Sequence, residues 1–205
     1  MSKWQSRIFV FGGSFNPIHN DHIKLALTAR DKWKFDRIIF IPNGDNYRKK
    51  SLSATPAKIR FEMVQAAIAD MSQMEVSDVE VNDSVAMRTP ITMRELHQEN
   101  PHSQLALFRG LDALHRVHRQ CFQLANMVVI AVPRKGFELS FAEMIARHSK
   151  LQQFNERIIY KDDIVCGDLS STQIRQAVAE GQSIDDMVPS AVQDIIKREG
   201  LYSKT

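Results

Sequence analysis

The run Ile8-Phe9-Val10-Phe11-Gly12-Gly13-Ser14-Phe15-Asn16-Pro17-Ile18-His19-Asn20-Asp21-His22 decides the fold. Four consecutive apolar residues read as a strand buried on both faces. Two glycines, a proline turn and then a helical apolar period over residues 21–32 read as a loop feeding a helix. Gly12 and Gly13 let the backbone approach a ligand closely and reach conformations closed to other residues. A helix starting near Asn20 turns its free N–H groups and positive dipole end on the same place, which favours an anion. His19 and His22, three apart, project from one face of that helix end. Two imidazoles there can donate to phosphate oxygens and stabilise charge that grows in a transition state. Either histidine alone reads as an ordinary solvated or core residue. As a metal set, His19, Asp21 and His22 lack a fourth ligand, so no dedicated metal site is expected. The dinucleotide fingerprint needs a third glycine further on, and a Walker A loop ends in Gly-Lys-Ser/Thr; this stretch is neither.

Outward from this stretch, short apolar runs alternate with helical periods. Strands are expected at 37–42, 74–81, 104–108 and 127–132, and helices at 57–71, 89–98, 111–124, 140–150, 171–180 and 189–199. Strand-helix alternation along the whole length predicts an α/β fold, a Rossmann-like doubly wound parallel sheet with helices on both faces and a C-terminal helical segment. No repeat, low-complexity stretch or linker divides residues 1–205, so a single domain is expected. In such sheets ligands bind at the carboxyl ends of the strands. The residues to read for chemistry are therefore 12–22, 43–50, 110–112, 134 and 168–175.

With 205 residues, 43% hydrophobic and 25% charged, the chain suits a globular domain with a sizeable core. The net charge of +3 is too small to argue for nucleic acid, and fits a pocket for anionic ligands. Two cysteines, Cys121 and Cys166, are far apart and in no metal-ligand spacing, which suits a reducing compartment. The first residues lack the apolar core of a signal peptide, and no apolar run is long enough to span a bilayer. A cytoplasmic protein without membrane or nucleic-acid partners is expected, and a homo-oligomer is left open.

A second cluster, Gly167-Asp168-Leu169-Ser170-Ser171-Thr172-Gln173-Ile174-Arg175, places hydroxyls before a helical run. Serine and threonine there are ordinary N-caps. They also offer hydroxyls and backbone N–H groups at a helix N-terminus, with Arg175 one turn in to fork onto phosphate oxygens.

Here the residues reach a family. GGSFNPIHNDH resembles the GG-[ST]-F-[DN]-P-x-H-x-G-H signature of nucleotidyltransferases on a Rossmann-like fold, and LSSTQIR is similar to the I-S-S-T-x-I-R signature of their nicotinate mononucleotide adenylyltransferase branch. Gly110-Leu111-Asp112 matches the branch's G-x-D motif, Arg60 with Met63 its helix after the second strand, and Val188-Pro189 to Gly200-Leu201-Tyr202 its ending. The resemblance implies transfer of AMP from ATP to nicotinate mononucleotide, giving the dinucleotide and pyrophosphate. It implies catalytic roles for His19, His22 and Arg175, and ATP binding by Gly12, Gly13, Ser14, Phe15, Gly110, Asp112, Ser170, Ser171 and Thr172 with those three. The acceptor falls to Asn43, Lys49, Thr89, His115 and Arg134. The attacking group is already an anionic phosphate, so no general base is required; the work is positioning and charge neutralisation. Mg²⁺ is expected to travel with ATP and water.

The chain departs from the pattern mainly around the acceptor. Asn46-Tyr47-Arg48-Lys49 stands where P-P-H-[KR] is usual, keeping the basic end. Met87-Arg88-Thr89-Pro90-Ile91-Thr92 keeps both threonines of S-Y-T-x-x-T and loses the aromatic. The ring-stacking aromatic after G-x-D has no clear equivalent; His115 or His118 is left to stack, or Arg116 to pair with a carboxylate. Asp21 replaces the glycine of H-x-G-H, and either stabilises the helix's first turn or repels the triphosphate unless it points away or binds Mg²⁺. Two other readings stay open: the same chemistry on nicotinamide mononucleotide or another phosphorylated acceptor, and a non-catalytic nucleotide-binding module.

Overall fold

The computed structural model describes residues 4–45, 55–82 and 89–203. Six strands form one parallel sheet: β1 (Ser6–Gly13), β2 (Arg37–Pro42), β3 (Met74–Val76), β4 (Ser103–Gly110), β5 (Met127–Val132) and β6 (Ile158–Tyr160), in the order β3-β2-β1-β4-β5-β6. All five pairings are parallel. This is the doubly wound order, in which the chain reverses its direction of growth between β1 and β4 and leaves a crevice beyond their carboxyl ends. The α/β Rossmann-like expectation holds.

The crossovers carry α1 (Asn20–Asp31), α2 (Ala57–Ala67), α3 (Thr89–Glu99), α4 (Arg119–Phe122), α5 (Phe141–Arg147) and α6 (Ser149–Gln153), and the chain ends in α7 (Ser171–Ala179) and α8 (Ser190–Arg198). Alternating strand residues feed two separate cores. Phe9, Phe11, Ile38, Phe40, Ala106 and Ile130 meet residues of α1, α2, α7 and α8 on one face. Ile8, Val10, Ile39, Leu105, Leu107 and Val129 meet α3 to α6 on the other. That period-two division explains why the strands read as unbroken apolar runs.

The structure differs from the sequence expectation in three elements. The strand expected over 74–81 stops at Val76, because residues 78–82 turn, with the Val81 N–H donating to the Asp78 carbonyl at 2.8 Å. The helix expected over 111–124 is a 3₁₀ helix (Leu111–Arg116) followed by α4, and the one over 140–150 is split into α5 and α6 at an extended His148. β6 was not expected: Ile158-Ile159-Tyr160 is too short to show a period, and only pairing with β5 makes it a strand. The C-terminal helix ends as its sequence indicates. Gly200 takes a φ of 59°, Leu201 N–H donates to the Ile196 carbonyl and Gly200 N–H to the Lys197 carbonyl, a Schellman closure.

An aromatic cluster locks β1 to its neighbours under the crevice. The Phe11 ring stacks on Phe40 at 5.3 Å and meets Phe108 edge-on at 4.9 Å. Phe40 is fully buried and also touches the Phe15 ring, at 5.7 Å. Replacing Phe40 with alanine should cost about 3–5 kcal/mol in urea-unfolding stability through lost burial and the cavity left behind.

Candidate active site

Beyond the carboxyl ends of β1 and β4 lies a cavity of about 480 Å³. Its wall includes Gly12, Gly13, Ser14, Phe15, His19, His22, Asn43, Thr89, Gly110, Asp112, Arg134, Ser170, Ser171, Thr172 and Arg175. The topology thus brings two sequence clusters about 150 positions apart to one place. Lys49 lies outside the described residues. His115 does not line the cavity. The 3₁₀ helix buries Leu111 and Leu114, which turns His115 the other way, onto His148 at 5.3 Å between ring centroids.

The glycine turn works differently from the expectation. Neither Gly12 nor Gly13 has a positive φ; the residue that does is Phe15, at 47°. Gly13 is needed because a Cβ there would come within 3.0 Å of the Phe15 ring. That ring and Phe11 then hold the His22 imidazole edge-on, at 5.1 and 5.6 Å. His19 and His22 stack at 3.6 Å between ring centroids. The His19 backbone N–H donates to His22 Nδ1 at 3.2 Å. A neutral imidazole that accepts at Nδ1 carries its hydrogen on Nε2, so His22 keeps Nε2–H as a donor.

Burial and the neighbouring charges decide protonation. Desolvation pushes the His19 imidazole down to about 4, against a smaller upward pull from Asp21 and a downward push from Arg134. Burial, then His19 and Arg134, hold His22 well below its ordinary value too. The free site therefore presents two neutral imidazoles at pH 7. His19 Nδ1 is buried without a hydrogen-bond partner.

The second cluster is tied to the first. Ser171 Oγ donates to the Pro17 carbonyl and Arg175 Nη1 to the Asn16 carbonyl, each at 2.9 Å. Arg175 Nη2 also donates to Thr172 Oγ1 at 3.2 Å. Ser170 caps α7, its hydroxyl accepting from the Gln173 N–H. Helix geometry leaves the N–H groups of Ser171 and Thr172 without intrahelical acceptors, at the edge of the cavity. The α1 end is less open, because Met187 and Asp186 carbonyls take the Asn20 backbone and side-chain donors. Asp21 points to the second cluster: its Oδ2 accepts the Leu169 N–H at 2.9 Å.

Arg60 and the chain end support the turn from behind. The Arg60 side chain, 7% exposed, donates to the Thr55 and Ser14 carbonyls and to Asp45. Tyr202 Oη hydrogen-bonds Asn16 Oδ1 at 2.5 Å, and burial raises its phenol to about 12.

Two chemically loaded residues on the wall escaped the sequence reading. Arg109 follows Leu105 and Leu107 on the α3 face of β4, and its Nη2 donates to Thr89 Oγ1 at 3.2 Å. Glu80 is buried, and its carboxylate accepts from Thr92 Oγ1 at 2.7 Å and Asn43 Nδ2 at 3.0 Å. Burial raises the Glu80 carboxyl against those two hydrogen bonds and Arg109. The clue for Arg109 was a charge directly after the expected strand 104–108, where such sheets bind ligands. Glu80 gave none, since its place on the wall comes from the turn after β3 and not from the strand's alternation. Arg134, expected near the acceptor, lines the cavity beside Asp112, its Nε 3.9 Å from Oδ2. Asp112 Oδ1 is buried without a partner, tucked 2.6 Å from where a Cβ on Gly110 would stand.

Among the described residues, no three of His, Cys, Asp and Glu converge as a metal set. The donors around His19, His22 and α7 suit phosphate oxygens.

Because His19 titrates near 4 in the folded chain and at 6.5 when unfolded, its stability contribution is complete above about 6.5 and lost as pH falls through 4. For His19 alone the loss is about 3 kcal/mol. A His19→Gln/His22→Gln variant should therefore lose less of its melting temperature than the parent between pH 7 and pH 4, in buffers matched for ionic strength.

A cytidylyltransferase-like family model matches residues 10–177. A probable nicotinate-nucleotide adenylyltransferase of Clostridium tetani is 34% identical, over 94% of this chain and 97% of the relative. One of Clostridium botulinum strain Okra is 30% identical with the same coverage. Among solved structures, the nicotinic acid mononucleotide adenylyltransferase of Plasmodium falciparum complexed with NaAD superposes with a TM-score of 0.74 at 17% identity, over 97% of this chain and 98% of that one. The same protein complexed with APC gives 0.72. No helix among the described residues is long and apolar enough to cross a membrane. The sheet order, the paired histidines over a glycine turn and this extent of similarity agree, and the chain belongs to the cytidylyltransferase-like family, in its nicotinate-nucleotide adenylyltransferase branch.

Proposed function

We infer that the chain is an adenylyltransferase of NAD biosynthesis, joining the AMP of ATP to nicotinate mononucleotide with release of pyrophosphate. One observation carries the reading. Two neutral, stacked imidazoles and the open N-terminus of α7 face one cavity, with Arg175 fastened between them. In the reaction an oxygen of the acceptor phosphate forms a bond to the α-phosphorus of ATP while the bond from that phosphorus to the bridging oxygen breaks. The leaving pyrophosphate takes the electron pair. Nε2–H of His22 donates to the reacting phosphate, and His19 lies stacked beside it to assist. The N–H groups of Ser171 and Thr172, with Arg175, hold the β and γ groups. Asp112, on the cavity wall, is suited to accept from a ribose hydroxyl of ATP through its carboxylate. Mg²⁺ arriving with ATP would neutralise charge on the triphosphate.

The acceptor takes the remaining half of the cavity, between β2 and α3, where Asn43, Glu80, Thr89, Thr92 and Arg109 stand. Arg109 supplies a cation with several donors there, and a pyridine carboxylate is the acceptor feature that matches it. This supports nicotinate over nicotinamide as the ring.

Purified protein given ATP, Mg²⁺ and nicotinate mononucleotide should release pyrophosphate. His22→Ala should lower kcat by roughly 10²–10³-fold with a smaller change in the KM for ATP. No turnover with any pyridine mononucleotide would overturn the reading. Arg109→Leu should raise the KM for nicotinate mononucleotide about tenfold or more and that for nicotinamide mononucleotide far less. Equal losses on both acceptors would place Arg109 on a group they share.

A further inference from the structure

Asp21 puts a carboxylate inside a cradle built for a triphosphate. By charge alone it should weaken ATP binding, since a carboxylate and a phosphate a few ångströms apart repel. Its contact reverses that expectation. Asp21 Oδ2 accepts the Leu169 N–H at 2.9 Å, across 148 residues of sequence. Leu169 immediately precedes Ser170, the N-cap of α7.

The segment that delivers α7 is anchored on its other side by the extension of β5. Cys166 N–H donates to the Pro133 carbonyl at 3.1 Å, and Lys135 N–H to the Cys166 carbonyl at 2.9 Å. Between that anchor and α7 lie Gly167, with a φ of 112°, and Asp168, whose side chain reaches only the exposed Lys135. Asp21 is the side chain that meets the backbone just before the cap. Without it, the approach from Gly167 to Ser170 would lose its tie to α1, and the Ser171 and Thr172 N–H groups would lose part of their fixed direction. A hydrogen bond to a charged acceptor is also stronger than a neutral one.

We propose that Asp21 is a positioning residue: it clamps the loop before α7 to the first turn of α1, and so sets the α7 N-terminus for the β and γ phosphates of ATP. The proposal rests on the adenylyltransferase reading for the identity of the ligand. Asparagine retains the accepting oxygen and removes the charge; glycine, the residue usual at this place in the signature, removes both. The pair separates clamp from charge.

The experiment compares the parent protein with Asp21→Asn and Asp21→Gly. The KM for ATP, the KM for nicotinate mononucleotide and kcat are measured, together with the calorimetric affinity for a nonhydrolysable ATP analogue. Asp21→Gly should raise the KM for ATP and weaken the analogue roughly five- to tenfold, the scale of one ordinary hydrogen bond, with little change in the acceptor KM. Asp21→Asn should recover most of that loss. If both variants bind ATP more tightly, repulsion governs and the clamp is wrong. If both lose only melting temperature while ATP parameters stay put, Asp21 merely stabilises α1 and the clamp is again wrong. Should Asp21→Gly not fold, Asp21→Ser, with a shorter reach to Leu169, takes its place under the same criteria. A parent protein that turns over no pyridine mononucleotide would strike the functional reading instead, and the clamp would then be judged from the analogue affinities alone.

Discussion

The site depends on a few hydrogen bonds that join two helix N-termini distant in sequence. Arg175 holds the Asn16 carbonyl, Ser171 the Pro17 carbonyl, and Asp21 the Leu169 N–H. Each satisfies a backbone group in a turn partly removed from water. Together they bring the open end of α7 to the imidazoles of the glycine turn. Tyr202, from the last described turn of the chain, closes the same turn by bonding Asn16. A single phosphate cradle is thus assembled from the first, the penultimate and the final helical segments.

Packing beneath the crevice makes those bonds useful. Gly13 leaves room for the Phe15 ring, and Phe15 and Phe11 fix the His22 imidazole in place. Burial keeps both histidines neutral, while the His19 N–H assigns the His22 tautomer. Neutral donors that need no reorganisation suit a reaction in which charge moves from the α-phosphorus to a leaving pyrophosphate. The preorganisation is structural, and no proton has to move between residues for it to operate.

The two halves of the cavity have different chemistry because β1 and β4 each have two faces. On one, α1 and α7 direct hydroxyls, imidazoles and N–H groups at the cavity. On the other, α3 covers a space in which buried Glu80 joins Asn43 to Thr92 and Arg109 reaches Thr89. Gly44 passes so close to the Glu80 carbonyl that a Cβ would collide with it, which holds the β2 loop against this second half. The halves join above the carboxyl ends of the central strands.

By itself the sequence determined most of the element types, the parallel sheet and the two clusters that meet at the cavity. Those follow from local rules: apolar runs for buried strands, glycine and proline at turns, serine before a helix, a glycine after one. Tertiary structure alone decided β6, the early end of β3, the parts played by Glu80 and Arg109, the turning away of His115 and the direction of Asp21. A three-residue strand exists only through its pairing partner. A side chain's direction depends on which neighbours fill the space beside it, and those neighbours lie far away in sequence. Asp21 read locally as a first-turn acid or a repulsive charge. Its carboxylate has a partner 148 residues away, and no local pattern encodes that distance.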